Sequence, residues 1–161
     1  MEIERKFLIQ KLEELPFSPF EYPHKELEQG YLCTAPVVRI RREDDDYVLT
    51  YKSKGLMARE EYNLPLTRDS YEHLKEKVDG RIIHKTRYVI PMNCICPENA
   101  DFCFTPLFLE LDIFHDDLAP LILAEIEFPD EGTANTYPAP EWLGEDVTFS
   151  SAYHNSTLSR M

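Results

Sequence analysis

These 161 residues lack the sequence features that are typical of membrane proteins, secreted proteins and repeat proteins. No run of 18 apolar residues occurs, so we expect no membrane-spanning helix. The start lacks a basic stretch followed by an apolar one, and Lys6 interrupts any such run, so we expect no signal peptide and a cytoplasmic location. No internal repeat or low-complexity tract divides the sequence, which predicts one domain over residues 1–161.

Basic residues are also scarce: 17 Lys and Arg stand against 30 Asp and Glu, for a formal net charge of −13. This balance argues against a nucleic-acid partner, because phosphate backbones require clustered Lys and Arg. The acidic excess includes the run 43–46, which we expect in a solvated hairpin turn. Seven of the basic residues nevertheless lie in same-face pairs on predicted strands, namely Lys6, Arg39, Arg41, Lys52, Lys54, Lys85 and Arg87.

The four cysteines do not form a recognisable zinc motif. Cys94 and Cys96 are separated by one residue, whereas zinc sites usually have a two-residue gap and a second pair. On a strand the two side chains would point the same way and could meet Cys103 across a hairpin within segment 91–106. We expect free thiols that pack as small apolar groups, Cys33 included.

The most informative feature that is present is a repeated alternation of charged and apolar residues. In a strand, Glu2, Glu4 and Lys6 share one face, while Ile3 and Phe7 share the other. A sheet with one solvated face also gives alternation. Here, however, charges recur mostly as same-sign pairs, at 39 and 41, 52 and 54, 85 and 87, 110 and 112, and 125 and 127. The repetition favours a closed sheet with charges inside and apolar residues outside.

Strands are predicted at about 2–9, 28–34, 36–43, 46–54, 59–66, 82–91, 104–115 and 121–129. Helical spacing predicts a helix opened by Asp69 and ended by Gly80, with further short helices at 130–135 and after residue 150. Segment 10–27 is predicted to be mostly loop. We therefore expect an α+β fold: a closed antiparallel barrel of about eight strands, with a charged interior and a few flanking helices.

The ordered motifs resemble the CYTH domain superfamily, also called triphosphate tunnel metalloenzymes. The signature Glu-x-Glu-x-Lys begins the chain, and six further motifs follow in order: Arg-x-Arg, Lys-x-Lys, Arg-x-Glu, Lys-x-Arg, Glu-x-Asp and Glu-x-Glu. The segments 29–32 and 142–148 are similar to the short bacterial branch. The resemblance implies a β-barrel tunnel that binds a small-molecule triphosphate, in a monomer or homodimer.

The resemblance also implies roles for individual residues. Lys6 and Tyr31 correspond to a pair thought to activate the attacking water, since burial and nearby cations would lower the pKa of the lysine. Triphosphate binding is expected from Lys6, Arg39, Arg41, Lys52, Lys54, Arg59, Lys85 and Arg87. Mg²⁺ or Mn²⁺ would be held by carboxylates, with Glu2, Glu4, Glu125 and Glu127 as main ligands and Glu61, Glu110 and Asp112 as secondary ones.

Alternatives remain open at this stage. A buried salt-bridge network without ligand is disfavoured by the cost of desolvating so many ions. Adenylate cyclase and thiamine triphosphatase occur in the same superfamily, and a non-catalytic polyphosphate- or nucleotide-binding module is the other alternative. Two departures bear on this choice. The family's terminal Asp-x-Arg-Tyr-x-Asn is Ser-Ser-Ala-Tyr-His-Asn at 150–155, and Asn63 replaces a Glu; His154 is expected at the surface.

Overall fold

A computed structural model describes residues 1–97 and 106–161. In that part of the chain the strands β1 to β10 are Glu2–Leu8, His24–Thr34, Val37–Glu43, Asp46–Lys52, Ala58–Arg59, Glu61–Pro65, Asp79–Pro91, Phe108–Phe114, Ile122–Glu127 and Glu145–Asp146. The α-helices α1 to α4 are Arg68–Lys75, Met92–Ile95, Glu131–Thr136 and Asn155–Leu158. None of the described helices combines the length and the apolar character needed to cross a membrane.

The strands form one antiparallel sheet in the order β10-β1-β9-β8-β7-β2-β3-β4-β6. The short strand β5 directly precedes β6 and pairs with β1, where Arg59 lies opposite Glu2. This pairing brings the far edge of the sheet back to β1, so the sheet curls into a nearly closed barrel. Eight strands are long, and β5 and β10 contribute two residues each. The predicted α+β barrel is confirmed.

The register of β1 and β9 separates charged from apolar side chains. Glu4 lies opposite Glu127 and Lys6 opposite Glu125, on the inner face of the barrel. Ile3 and Ile126 point outward and are buried. Because side chains alternate with a period of two, a shift of one residue would exchange the two faces, and the register is therefore strongly specified.

The outer faces of β1, β8 and β9 form the main apolar core. Helix α3 and neighbouring short turns cover this face, and the core includes Phe7, Leu109, Leu111, Ala124, Ile126, Phe128, Ala134, Tyr137 and Leu143. Helix α1 covers β3 and β4 through Tyr71, which is fully buried. The outer face of β6 stays open, with Tyr62 63% and Leu64 57% exposed. Helices therefore cover β1, β3 and β4, whereas the outer face of β6 is left exposed.

The C-terminal segment crosses one end of the barrel. It leaves β1 through the Val147 amide, which donates to the Lys6 carbonyl at 2.8 Å, and reaches β7 where the Arg81 amide donates to the Ser159 carbonyl at 2.7 Å. Between these anchors Leu158 packs into an apolar cluster with Tyr31 and other residues of the barrel end. The barrel is thereby closed at this end by the chain itself.

Some predicted boundaries were wrong. Strand β2 begins at His24, so the loop after β1 is shorter than expected, and β4 ends at Lys52 instead of continuing to residue 54. Helix α1 begins one residue earlier than predicted, because Thr67 caps it by accepting a hydrogen bond from the Ser70 amide, and it ends at Lys75, before the predicted stop at Gly80. The predicted strand 104–115 lies partly outside the described residues, which place its continuous part at Phe108–Phe114.

The cysteine pair does not have the strand geometry that would align its two side chains. Cys94 belongs to α2 and Cys96 caps its C-terminal end, so the two side chains do not share a strand face. Cys94 is exposed whereas Cys96 is buried. Cys103 lies outside the described residues.

Candidate active site

The barrel encloses a cavity of about 200 Å³ that is lined almost entirely by polar and charged side chains. Its walls come from most of the strands and from the C-terminal segment. The lining residues are Glu2, Glu4, Lys6, Tyr31, Val37, Arg39, Arg41, Lys52, Arg59, Glu61, Arg87, Glu110, Glu125, Glu127, His154, Asn155 and Ser156.

Strands β1, β9 and β8 form what we call the carboxylate wall, made of Glu2, Glu4, Glu110, Glu125 and Glu127. Glu4 faces Glu127 and Glu110 faces Glu125 in the strand registers. Like charges placed directly opposite each other on one face are destabilising. Carboxylates are therefore crowded on this side of the cavity, although Lys6 and Arg87 pair with Glu125 and Glu110.

The pKa values of these carboxyls reflect their crowding. Burial and the neighbouring Glu125 and Glu2 raise the pKa of Glu4 well above its ordinary value. Burial and a hydrogen bond shared with Glu61 raise the pKa of Glu2 to about 7. Burial together with Glu110 and Glu61 raises the pKa of Glu127. At Glu2, Glu4 and Glu127 the crowding disfavours the charged form, which a cation placed among them would stabilise. Glu125 differs, because Lys6, Arg87 and Lys85 hold its pKa well below the ordinary value despite burial.

Strands β3, β4 and β5 form what we call the basic wall, made of Arg39, Arg41, Lys52 and Arg59. Arg41 donates to Gln29 Oε1 at 2.8 Å and Arg39 donates to Thr50 Oγ1 at 3.2 Å. Among the described residues the buried Nε atoms of Arg39 and Arg59 have no hydrogen-bond partner. Lys52 Nζ reaches across to Glu2 Oε1 at 2.8 Å.

Unpartnered buried donors are costly, because they have lost water without gaining another acceptor. The guanidinium groups also oppose one another: burial, with Arg39 and Arg87 nearby, lowers the pKa of Arg41 to about 10. An anion with several acceptor oxygens would satisfy both the free donors and the excess positive charge. The basic wall therefore has the chemistry of a polyanion site.

Lys6 lies on the carboxylate wall, buried and 3.5 Å from Glu125 Oε1. Its Nζ also donates to the Tyr153 carbonyl at 3.2 Å. Burial lowers the pKa of Lys6, but Glu125 and Glu4 outweigh burial and raise it above its ordinary value. The expectation that the pKa of Lys6 is lowered was wrong for the cavity without ligand. The strand register places Lys6 among carboxylates more than among cations. Tyr31, its predicted partner, is buried and also lines the cavity.

Three predicted site residues lie outside the cavity lining. Lys85 and Asp112 are fully buried behind it, with Lys85 Nζ 2.8 Å from Asp112 Oδ2. Burial lowers the pKa of Lys85 to about 7 despite this partner. Asp112 in turn accepts from Arg87 Nε at 2.7 Å and so orients a cavity cation. Lys54 is exposed, because β4 ends at Lys52 and the chain turns at Gly55, where φ is +141°.

Asn63, where the family pattern has Glu, is part of a hydrogen-bonded row beside the cavity. Its Nδ2 donates to Glu61 Oε1 at 2.9 Å, and its Oδ1 accepts from Thr50 Oγ1 at 2.6 Å. The amide therefore orients a cavity carboxylate instead of adding another charge to it.

The C-terminal segment supplies lining residues that the sequence analysis did not assign to the site. Asn155 Oδ1 accepts from Lys85 Nζ at 3.2 Å, and His154 and Ser156 line the cavity beside it. The expectation of a surface position for His154 was wrong. The sequence did hold a signal for this position, because His154 lies between Tyr153 and Asn155, two residues of the family pattern that this chain retains.

No three His, Cys, Asp or Glu side chains within residues 1–97 and 106–161 are already arranged to hold a metal ion. The carboxylates of the cavity are nevertheless the ligand type that Mg²⁺ and Mn²⁺ prefer. Mg²⁺ commonly binds through one or two carboxylates together with substrate phosphates and water. The donor set therefore fits a cation that arrives with an anionic substrate.

The family profile of the CYTH domain matches residues 1–154. The chain belongs to the CYTH domain family. It is 35% identical over 161 residues to an inorganic triphosphatase of Nitrosomonas europaea, covering 98% of this chain and 96% of that protein. An inorganic triphosphatase of Acetivibrio thermocellus is 34% identical over 135 residues, covering 81% and 77% of the two chains.

The crystal structure of the inorganic triphosphatase NE1496 superposes with a TM-score of 0.68 at 33% identity, covering 100% of this chain and 95% of that one. The CYTH fold is thus shared over the whole chain. Within it, the charged residues that carry the family motifs line the cavity, apart from Lys54, Lys85 and Asp112.

Proposed function

We propose that this CYTH protein hydrolyses inorganic triphosphate with the help of a divalent cation. The observation that carries the proposal is the division of one cavity into a crowded carboxylate wall and a basic wall with unpartnered buried donors. A polyphosphate bound together with a hard cation satisfies both walls at once. The names of the relatives from Nitrosomonas europaea and Acetivibrio thermocellus support the same substrate class.

The size and lining of the cavity favour an inorganic substrate over a nucleotide. A volume of about 200 Å³ is below the roughly 300–1,000 Å³ typical of sites for drug-sized organic ligands. Val37 and the ring of Tyr31 are the less polar parts of the described lining, and both lie among charged groups. An adenine or thiazolium ring would find little apolar surface here.

The cation would be held by Glu2, Glu4, Glu125 and Glu127, with Glu61 and Glu110 nearby. Bound there, it would neutralise charge on the phosphate oxygens as the terminal P–O bond breaks. Arg39, Arg41, Arg59 and Arg87 would orient the chain of phosphates through charge-assisted hydrogen bonds.

Lys6 and Tyr31 are the residues we assign to water activation. Glu125 and Glu4 keep Lys6 protonated in the empty cavity, and Lys6 can release its proton more easily once a cation balances their charge. Neutral Lys6 would accept a proton from the water that attacks the terminal phosphorus. The products are phosphate and pyrophosphate, and Tyr31 would hold the water or the transferred phosphoryl oxygen in place.

A phosphate-release panel tests the proposal. Inorganic triphosphate, pyrophosphate, ATP and thiamine triphosphate would each be assayed with Mg²⁺, with Mn²⁺ and with EDTA. We expect the highest kcat/KM for inorganic triphosphate, and loss of release in EDTA. For ATP, product analysis separates phosphate release from formation of cyclic AMP and pyrophosphate.

Preferential turnover of ATP to cyclic AMP would replace the proposal with a cyclase, and preference for thiamine triphosphate would replace the substrate. Binding of triphosphate without turnover under any metal condition would identify a binding module. Full activity in EDTA would contradict the role of the carboxylate wall.

A further inference from the structure

His154 occupies an unusual position for a histidine. It lies in the C-terminal segment that closes the barrel, and its side chain lines the cavity. The charged groups that act on the His154 ring are the cations Lys6, Arg59 and Lys52 and the carboxylate of Glu125, whose effect on the ring is the opposite one. Burial and these three cations lower the pKa of His154 to about 4. The imidazole is therefore neutral near pH 7 and still carries one N–H donor.

The segment that carries His154 is fixed on both sides. The Tyr153 carbonyl accepts from Lys6 Nζ at 3.2 Å, and Asn155 Oδ1 accepts from Lys85 Nζ at 3.2 Å. Further along, Leu158 is buried in the apolar cluster at the barrel end. The ring is thus held at the cavity by a scaffold that depends on its neighbours and not on the ring itself.

The ring has no hydrogen-bond partner among the described residues, whereas two of the other four histidines have one. His84 contacts Asp116 Oδ2 at 2.7 Å and Glu28 Oε2 at 3.0 Å. His115 contacts Thr86 Oγ1 at 2.7 Å. The N–H donor of His154 lies beside cations and has no acceptor among the described residues. An anionic ligand in the cavity would supply that acceptor.

We propose that His154 is an additional substrate-binding residue, whose neutral imidazole donates a hydrogen bond to a phosphate oxygen of triphosphate. This inference rests on the proposed function for the identity of the anion. A neutral donor suits this position, because a fourth positive charge beside Lys6, Lys52 and Arg59 would be repelled whenever the cavity is empty. The C-terminal segment then takes part in binding as well as in closing the barrel.

Calorimetric titration with inorganic triphosphate in EDTA at pH 8 tests the inference without relying on turnover. We expect His154→Phe, which keeps a ring but removes the donor, to weaken binding about tenfold or more, in line with hydrogen bonds to charged groups. His154→Gln restores an N–H donor and should remain within about threefold of the unsubstituted protein. Thermal unfolding of each variant checks that the fold is intact.

His73→Phe is the matched control, since His73 is exposed on α1 and away from the cavity, and it should bind triphosphate normally. Normal binding by a folded His154→Phe would overturn the inference while leaving the proposed function standing. If His154→Gln is as weak as His154→Phe, restoring an N–H donor does not restore binding and the donor role is refuted. Absence of triphosphate binding in the unsubstituted protein, both in EDTA and with a divalent cation, would instead contradict the proposed function.

Discussion

The carboxylate wall and the basic wall differ in how their charges are satisfied. On the carboxylate wall, cations are paired: Lys6 with Glu125 at 3.5 Å, and Arg87 with Glu110 at 2.9 Å. Its remaining carboxyls respond to crowding by a raised pKa, as Glu4 does. On the basic wall, Arg39 and Arg59 keep buried donors without a partner in the described part of the chain.

The difference shows that the two walls require different ligands. A carboxyl can escape repulsion by taking up a proton, whereas a guanidinium retains its charge at any pH of interest. Protons can therefore substitute for a metal on one wall, but an anion is needed on the other. Substitutions in the two walls should have separable effects on metal and on triphosphate.

The largest effect is expected at Lys6, the cation of the carboxylate wall. Lys6→Arg keeps the positive charge but removes a group that can release a proton, so turnover should fall by about 10²–10⁴. Triphosphate affinity should stay within a few fold, because the charge is retained. Single-turnover kinetics and calorimetry measure the two quantities. Turnover close to that of the unsubstituted enzyme would show that Lys6 is a phosphate ligand and no base.

The next largest effect is expected on the basic wall. Arg39→Gln removes charge-assisted contacts and should weaken triphosphate binding in EDTA by about 10- to 100-fold. Arg42→Gln is the control on the same strand, since Arg42 is exposed and donates to the Asp44 carbonyl outside the cavity. Equal affinities of the two variants in calorimetry would show that the basic wall does not bind the anion.

A smaller and opposite effect on binding is expected on the carboxylate wall. Glu4→Gln removes repulsion, so triphosphate binding in EDTA should be unchanged or tighter. The Mg²⁺ concentration for half-maximal activity should rise by at least about tenfold, since a ligand is lost. Glu60→Gln, at an exposed position outside the cavity lining, serves as the control. An unaltered metal requirement in Glu4→Gln would contradict this assignment.

The smallest effect is a change in the free energy of unfolding with pH. Folding raises the pKa of Glu2 from 4.5 to about 7, so between these values the folded state binds more protons and loses stability as pH rises. Glu2→Gln removes this loss. Without metal, the variant should gain about 1–3 kcal/mol relative to the unsubstituted protein between pH 4.5 and 7. Denaturant titrations across this range measure the gain, and a constant difference would contradict the raised pKa.

The sequence predicted the barrel because the alternation has a period of two and pairs such as Glu125 and Glu127 keep one face. Prediction from the sequence failed where the position of a side chain depends on turns or on strand register. Lys54 was assigned to the site because strand β4 was extended past its end near Gly55. The raised pKa of Lys6 follows from its pairing with Glu125 across two strands far apart in sequence.

The position of the C-terminal segment was also not predicted from the sequence. His154 reaches the cavity because Leu158 packs into the barrel end and Asn155 meets Lys85, contacts between residues distant in the chain. Such long-range packing leaves no periodic trace in a segment of short helical turns. The altered motif at 150–155 marked this segment as different without indicating where it lies.

The most direct test of the two-wall account is a crystal structure of Lys6→Arg with inorganic triphosphate and Mn²⁺, with the metal located by its anomalous signal. The account predicts a manganese peak among the carboxylates of Glu2, Glu4, Glu125 and Glu127, with the phosphates along Arg39, Arg41 and Arg59. Manganese on the outer surface, or phosphates that do not contact the basic wall, would contradict it.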